Sequence, residues 1–345
     1  MDKNKQPKIQ IVNLSKVFGR SPKKMLQLVQ QGMDKNELLT KHRHVLALDN
    51  INMELKEHSI EVIMGLSGSG KSTLIRHINR LIAPTAGEVL VDGENVCNMG
   101  AGQLRRFRQQ KTAMVFQNFA LLPHRTVIDN ISFGLQIQGK SETQIKRSSY
   151  YWLERVGLAG YEKNYPAQLS GGMQQRVGLA RALACDADIL MMDEAFSALD
   201  PLIRSDMQDV LLELQRELKK TIVFITHDLD EALKIGDRIA ILNQGQLIQQ
   251  GSADNILLHP ADDYVRRFVA DVNRTGVLRA RSIMDSQLQT SPDFSNTVVV
   301  QEDDTVREVL HSMLSADSYN ALVTNQSGKA VGRIDSEMLA AAVNN

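Results

Sequence analysis

IEVIMGLSGSGKSTLIRHINRLI, residues 60–82, decides the fold. Residues 60–64 form a short apolar run, the composition of a strand buried on both faces. Residues 72–82 read as a helix. Between them, Gly65 to Ser72 fits G-x-x-x-x-G-K-[ST] in full, in the strand–loop–helix context that the pattern requires. Glycines let backbone N–H groups wrap a phosphate, and the helix N-terminus adds partial positive charge. Gly65, Ser67, Gly68, Ser69, Gly70, Lys71, Ser72 and Thr73 are therefore the expected ligands of a nucleotide's phosphates. Lys71 supplies charge to the β and γ phosphates, and Ser72 offers a hydroxyl to Mg²⁺.

Working outward, ADILMMDE (187–194) is a second buried strand, ending in Asp193 and Glu194. Asp193 is placed to hold Mg²⁺ through its water shell. Glu194 then lies beside the γ-phosphate, where a carboxylate can polarise a water for in-line attack. LSGGMQQRVGLARAL (169–183) repeats the pattern of a glycine turn opening a helix. It lacks a lysine and any Ser/Thr placed for a metal, so it can donate to a phosphate but cannot assemble a nucleotide site alone. A two-fold dimer resolves this, each copy's half-site capping the nucleotide in the other's phosphate loop.

The rest of the chain supports an α/β core with a largely parallel sheet. KIQIVNL (8–14) alternates like a strand. TAMVF (112–116), TIVFIT (221–226) and RIAILN (238–243) read as further strands separated by helices. Residues 21–44 read as a helical insertion, with Met25, Val29 and Met33 at four-residue spacing. Asp34 and Glu37 suggest a capping box there. Residues 118–168 read as mostly helical, with SSYYWLER (148–155) as helix packing. RRFR (105–108) reads as a solvated helix face. After about residue 271 the rhythm changes to strand, helix, strand, strand, helix. The expected division is an ATPase domain over 8–270 and a small α/β domain over 278–345.

Composition excludes several classes. Of 345 residues, 43% are hydrophobic and 23% charged, ordinary for a globular protein. Forty basic residues balance forty acidic ones, which argues against a nucleic-acid partner, since such binding rests on a basic surface. The two cysteines, Cys97 and Cys185, cannot build a disulfide framework or a metal site and are expected reduced. The polar start MDKNKQPK predicts no secretory signal. No apolar run approaches the roughly 20 residues that span a bilayer, so a membrane partner would have to hold this chain at a membrane.

GLSGSGKST, Gln117 in VFQNFALLPHRTV, LSGGMQQR, ILMMDE, SALD (197–200) and His227 in ITHDLDEA follow the order and spacing of ATP-binding cassette (ABC) transporter ATPases. The sequence resembles that family over about residues 8–270. The resemblance implies a P-loop ATPase fold with a helical subdomain, ATP and Mg²⁺ as cofactors, and work as a homodimer. It implies that Gln117 touches Mg²⁺ or the attacking water. It implies that His227 contacts the γ-phosphate and positions Glu194, and that Asp200 crosses the dimer interface. Ser170, Gly171, Gly172 and Gln174 would face the twin's nucleotide. The family's adenine-stacking aromatic falls near KVFG, which makes Phe18 the candidate, with His42 or His44 as competitors and an ordinary core role as the plain alternative.

The insertion at 21–44 and the phrases IMGLSGSGKSTLIRHINRLI and LMMDEAFSALDPLIR resemble the quaternary-amine uptake subfamily. That implies ATP-driven import of glycine betaine, proline betaine, choline or carnitine. The other expectations are importers of another small solute such as an amino acid, and a soluble ABC ATPase acting on nucleic acid or ribosomes. Implied partners are membrane permease subunits, met through residues 118–168, and an extracytoplasmic substrate-binding protein. The implied place is the cytoplasmic face of the plasma membrane. Residues 278–345 resemble a single cystathionine-β-synthase-type (CBS) domain, where larger members carry two in tandem.

Overall fold

The computed structural model describes residues 6–117, 119–197, 199–286 and 297–344. In chain order it begins β1 (Ile9–Phe18), α1 (Pro22–Gln30), α2 (Lys35–His42), β2 (Val45–Leu55), β3 (Ile60–Met64), α3 (Lys71–Ile78), β4 (Ala86–Val91) and β5 (Glu94–Asn95). There follow α4 (Ala101–Gln110), β6 (Thr112–Phe116), α5 (Val127–Ile137), α6 (Glu142–Arg155), α7 (Gly171–Ala184), β7 (Ile189–Asp193) and α8 (Pro201–Leu218). Next come β8 (Thr221–Thr226), α9 (Leu229–Ile235), β9 (Arg238–Asn243) and β10 (Gln246–Gly251). The remainder is α10 (Ala253–Leu258), α11 (Asp263–Phe268), α12 (Arg274–Val277), α13 (Ala280–Ile283), β11 (Thr297–Gln301), α14 (Val306–Ser315), β12 (Asn320–Thr324), β13 (Ala330–Asp335) and α15 (Ser336–Asn344).

The central sheet has strand order β10-β9-β3-β8-β7-β6. Its members β9, β3, β8, β7 and β6 are parallel. Strands β3, β7 and β8 are buried throughout, as their largely apolar composition favours, with Glu61 in β3 and Asp193 at the end of β7 as buried acids. The register pairs Met64 with Thr226, Asp193 with Ile225, and Phe116 with Asp193. The residues just past these strands, Gly65, His227, Glu194 and Gln117, therefore emerge at one edge of the sheet. That is where ligands bind in open parallel sheets. A second, antiparallel sheet of order β2-β1-β4-β5 packs its apolar face on α3 and the central sheet, around Ile11, Leu48, Leu74, Ile75 and Val223.

At the opposite, amino ends of the strands, four charges interlock. Lys8 Nζ lies 2.8 Å from Asp92 and 3.4 Å from Asp188, and Lys111 Nζ lies 3.2 Å and 2.8 Å from the same two carboxylates. Burial alone would raise the Asp188 carboxyl. The bond from Lys111 and the charges of Lys8 and Lys111 outweigh it and hold the group below the ordinary aspartate value.

The insertion carries its own small core. Met25, Leu26 and Leu38 pack with Val17 and Leu46 of the β1–β2 hairpin. Asp34 caps α2 through Asn36 N–H alone, so the reciprocal bond from Glu37 that would complete a capping box is not made. In the helical region, Trp152 and Leu153 are buried while Tyr150 and Tyr151 face out. Helices α5 and α7 approach so closely that a Cβ on Gly134 would stand 2.2 Å from Cys185 Sγ. RRFR is not simply a solvated face: Phe107 is buried, and Arg108 Nε donates to Asn79 O at 2.9 Å, tying α4 to the end of α3.

Packing divides the chain into two compact units, up to Ile248 and from Gln249 onward. The division falls before the expected end at 270 because α10 to α13 belong with the second unit. Helix α12 packs on α10, α14 and α15, and α13 packs on α15 and β13. The second unit's sheet runs β11-β12-β13, the first pair parallel and the second antiparallel, in the anticipated element order.

Candidate active site

Two glycines of the loop after β3 sit where a side chain would collide with backbone. Gly65 has φ +149°, and a Cβ there would meet Leu242 O at 2.1 Å. Gly70 caps α3 with φ +107°, its Cβ direction closed by Ala47 O at 2.7 Å. Ser67 and Gly68 stand exposed on the loop, whereas Ser69 is turned inward with its Oγ buried and without a hydrogen-bond partner. Of the expected phosphate ligands, Ser69 thus has its hydroxyl turned into the protein, and its N–H donates to Leu66 O at 3.1 Å. Thr73 uses its carbonyl locally, 2.7 Å from His77 Nδ1.

Lys71 opens α3 and is 5% exposed. Its ammonium donates to Gly65 O at 2.8 Å and Leu66 O at 3.2 Å, folded back beneath the loop. Burial pushes it below the usual lysine range, and the charges of Glu194 and Asp193 restore only part of that loss. Such a desolvated cation has strong reason to take an anionic ligand. Ser72 Oγ donates to Asp193 Oδ1 at 2.8 Å, and Arg76, one turn further along α3, holds Asp193 Oδ2 at 3.3 Å. Sequence reading missed Arg76, although its i+4 spacing from Ser72 places both on one helix face. Ser72 hydroxyl, Asp193 carboxylate and Gln117 amide are hard oxygen donors, a set that suits Mg²⁺ rather than a thiolate- or imidazole-binding metal.

Glu194 is the point of convergence. Lys71 Nζ lies 3.8 Å from its Oε1. Gln117 Nε2 donates to its Oε2 at 3.2 Å, and His227 Nδ1 stands 3.4 Å from the same oxygen. These groups come from the ends of β3, β6, β7 and β8, which the parallel register aligns. Glu194 has φ +47°, a costly conformation for a side chain with a Cβ. Its N–H to Ile225 O bond at 3.1 Å and the Ser197 Oγ to Glu194 O bond at 2.9 Å hold it there.

The other glycine-rich start lies apart. Ser170 caps α7 by accepting from Met173 N, and Gln174 Nε2 turns back to Leu169 O at 3.2 Å. Ser170 and Gly171 are exposed. Gly172 approaches α8, where a Cβ would meet Ile203 Cγ2 at 2.7 Å. Among the described residues, no hydrogen bond or ion pair joins Ser170–Gln174 to the loop 65–73. Asp200 caps α8 by accepting from Ile203 N at 3.0 Å. Phe18 ends β1 with 41% exposure and Lys16 Nζ 4.9 Å above its ring, so it is not a core residue. His44 packs its ring against Gly19, the next residue along.

The ABC transporter family pattern matches residues 48–197. The chain is 52% identical over 277 residues to the glycine betaine transport ATP-binding protein OpuAA of Bacillus subtilis, covering 80% of this chain and 66% of that relative. It is 45% identical to the glycine betaine/proline betaine transport system ATP-binding protein ProV of Escherichia coli, over 96% of this chain and 86% of the relative. Among solved structures it resembles a dimeric ATP-binding cassette in a post-hydrolysis state bound to ADP and phosphate. There the identity is 31% and the TM-score 0.60, over 71% of this chain and 98% of that one. Likeness along nearly the whole sequence, together with the matched family pattern, places this chain in the ABC transporter family of ATP-binding proteins.

Proposed function

We propose that this chain is the ATP-hydrolysing, energy-coupling subunit of an importer for quaternary amines such as glycine betaine, proline betaine, carnitine or choline. Two copies act together on the cytoplasmic side of a membrane permease, to which an extracytoplasmic binding protein delivers the amine. The observation that carries the ATPase reading is the convergence of Lys71, Gln117 and His227 on Glu194 beside a complete phosphate loop. The cargo rests on the likeness to betaine-transport relatives. Among the described residues no helix is long and apolar enough to cross a membrane, which fits a subunit held at the bilayer by its permease.

In this mechanism the loop 65–73 binds the phosphates through backbone N–H groups and Lys71. Ser72, Asp193 and Gln117 would hold Mg²⁺, which when bound would neutralise developing phosphate charge. Glu194 takes a proton from the attacking water, and Gln117 and His227 fix the angle from which it does so. Ser170, Gly171, Gly172 and Gln174 close the pocket from the second copy, with Asp200 at the seam, so binding energy is spent on drawing the copies together. Phe18 stacks on the adenine from the exposed end of β1. Vesicles carrying the permease and this subunit test the whole reading. Uptake of labelled glycine betaine or choline should need both ATP and an intact Glu194; uptake of an amino acid instead would overturn the cargo.

A further inference from the structure

Helices α8 and α9 are joined by polar bonds that the hydrolytic chemistry above does not use. Arg204, on the first turn of α8, donates from Nη2 to Leu199 O at 3.1 Å and from Nη1 to Asp228 Oδ2 at 3.3 Å. One guanidinium thus grips the residue before Asp200 and the residue after His227. One turn further along α8, Gln208 Nε2 donates to Glu231 Oε1 at 3.1 Å. Beyond that, Lys234 meets Ser205 Oγ at 3.0 Å and Asp209 Oδ1 at 2.8 Å. The spacing 204, 208 on α8 against 228, 231, 234 on α9 keeps every member on the facing stripe.

The α9 end of this seam is locked to the His227 turn. Asp228 Oδ1 accepts from Glu231 N at 3.1 Å, and Asp228 N donates to Thr226 Oγ1 at 3.0 Å, a bond that spans His227 itself. Thr226, Gln208 and Glu231 are all nearly fully buried. The buried Gln208–Glu231 bond holds a single geometry, because breaking it leaves a partner desolvated, while the Arg204 and Asp228 side chains beside it are 28% and 37% exposed.

We infer that Arg204 is a positioning residue that makes the Leu199–Asp200 segment and the Thr226–Glu231 turn move as one body. This rests on the reading of Asp200 as an interface residue and His227 as the group that orients Glu194. On that reading, docking of the second copy against Asp200 is felt at His227 through Arg204. Arrival of the partner is then passed to the group that orients the catalytic carboxylate.

The test uses the full chain in its assembled transporter, with Arg204→Met, His227→Ala and the double variant. Arg204→Met should lower kcat for ATP about 10- to 100-fold, the scale of an ångström-level misplacement, with KM within about twofold. Arg204→Lys should recover only part of the rate, since an ammonium does not offer the planar fork. On the His227→Ala background the same change should cost little more; equal cost on both backgrounds overturns the inference. Amide hydrogen exchange gives a readout independent of turnover. Arg204→Met should speed exchange in both 199–203 and 226–231, and acceleration in only one of them overturns the linkage. Should Arg204→Met fail to fold, Asp228→Asn keeps the helix cap and removes the charge. It should speed exchange across the seam in 199–203, and silence there has the same overturning force. If His227→Ala alone turns over ATP normally, the assigned role of His227 fails, while the exchange result still decides whether Arg204 links the two segments.

Discussion

Residues 65–73 and 169–175 share one local grammar, a glycine turn feeding a helix N-terminus, and they differ in what stands opposite. Facing α3 are the ends of three neighbouring strands, which bring Asp193, Glu194, Gln117 and His227 to within hydrogen-bonding reach of the loop or of each other. Facing α7 within the chain are Phe119 and Ile203, with no charged group among the close contacts of its glycines. A helix N-terminus offers the same dipole in both places. Only the first has been given chemistry to act with, and the second is finished by another molecule or not at all.

The sharpest way to break this contrast is at Glu194. Glu194→Gln should lower ATP turnover by about 10²–10⁴ and leave ATP affinity, measured by calorimetry, nearly unchanged. A variant that turns over at the wild-type rate would remove the carboxylate from the chemistry. The cradle and the lid should next separate by assay. Lys71→Ala should weaken ATP binding by roughly 10- to 100-fold, as expected for a lost charge-assisted contact. Ser170→Ala should leave binding to the separated chain within about twofold and lower turnover of the pair about tenfold.

Mixing tests the sharing directly. Chains carrying Lys71→Ala and chains carrying Ser170→Ala, combined, form pairs with one doubly damaged pocket and one intact pocket. Their ATPase should exceed that of either variant alone; activity no better than the average of the two homodimers would place each pocket within one chain. A smaller effect distinguishes the glycines themselves. Gly65→Ala combines a forbidden φ with a backbone collision and should lower the melting temperature by several degrees. Gly171→Ala meets nothing nearer than Phe119 Cζ at 3.8 Å and should leave stability within about 0.5 kcal/mol.

The smallest effect lies at the amino ends of the strands, where charge serves only to hold. The Asp188 carboxyl is depressed in the folded state, so its contribution is present above the ordinary aspartate pKa and lost as pH falls through the folded value. Asp188→Asn should lower the melting temperature slightly at neutral pH, since these groups are partly exposed. The gap to wild type should close below about pH 4 and shrink with added salt.

Much of this was legible in the sequence because it depends on contiguous residues. A buried strand, a glycine loop and a helix specify one another locally, and acids at the end of β7 must surface where β7 ends. The meeting of Gln117, Glu194 and His227 came through family resemblance rather than through any property of residues 112–116 or 221–226 taken alone, and the order of strands was not read at all. The Arg204–Asp228 pair was invisible because its members lie 24 positions apart and meet only when α8 and α9 pack. Ser69 looks identical to Ser67 in sequence, and only the turn of the loop sends one hydroxyl in and leaves the other residue out. The division into compact units at 248/249 rather than near 270 has a similar origin. Short helices such as α12 and α13 carry no pattern that tells which neighbour they will pack against.

The sulfur of Cys185 occupies the space a methyl group on Gly134 would need, so α5 and α7 are meshed like gear teeth. Sliding or tilting one relative to the other would open a void or force an overlap, both expensive in a packed interior. A shift of one helix would therefore be passed to the other. A displacement of α5 would be carried by α7 toward Ser170 at its far tip. A bulky thiol reagent on Cys185 would jam that mesh while leaving the nucleotide cradle untouched.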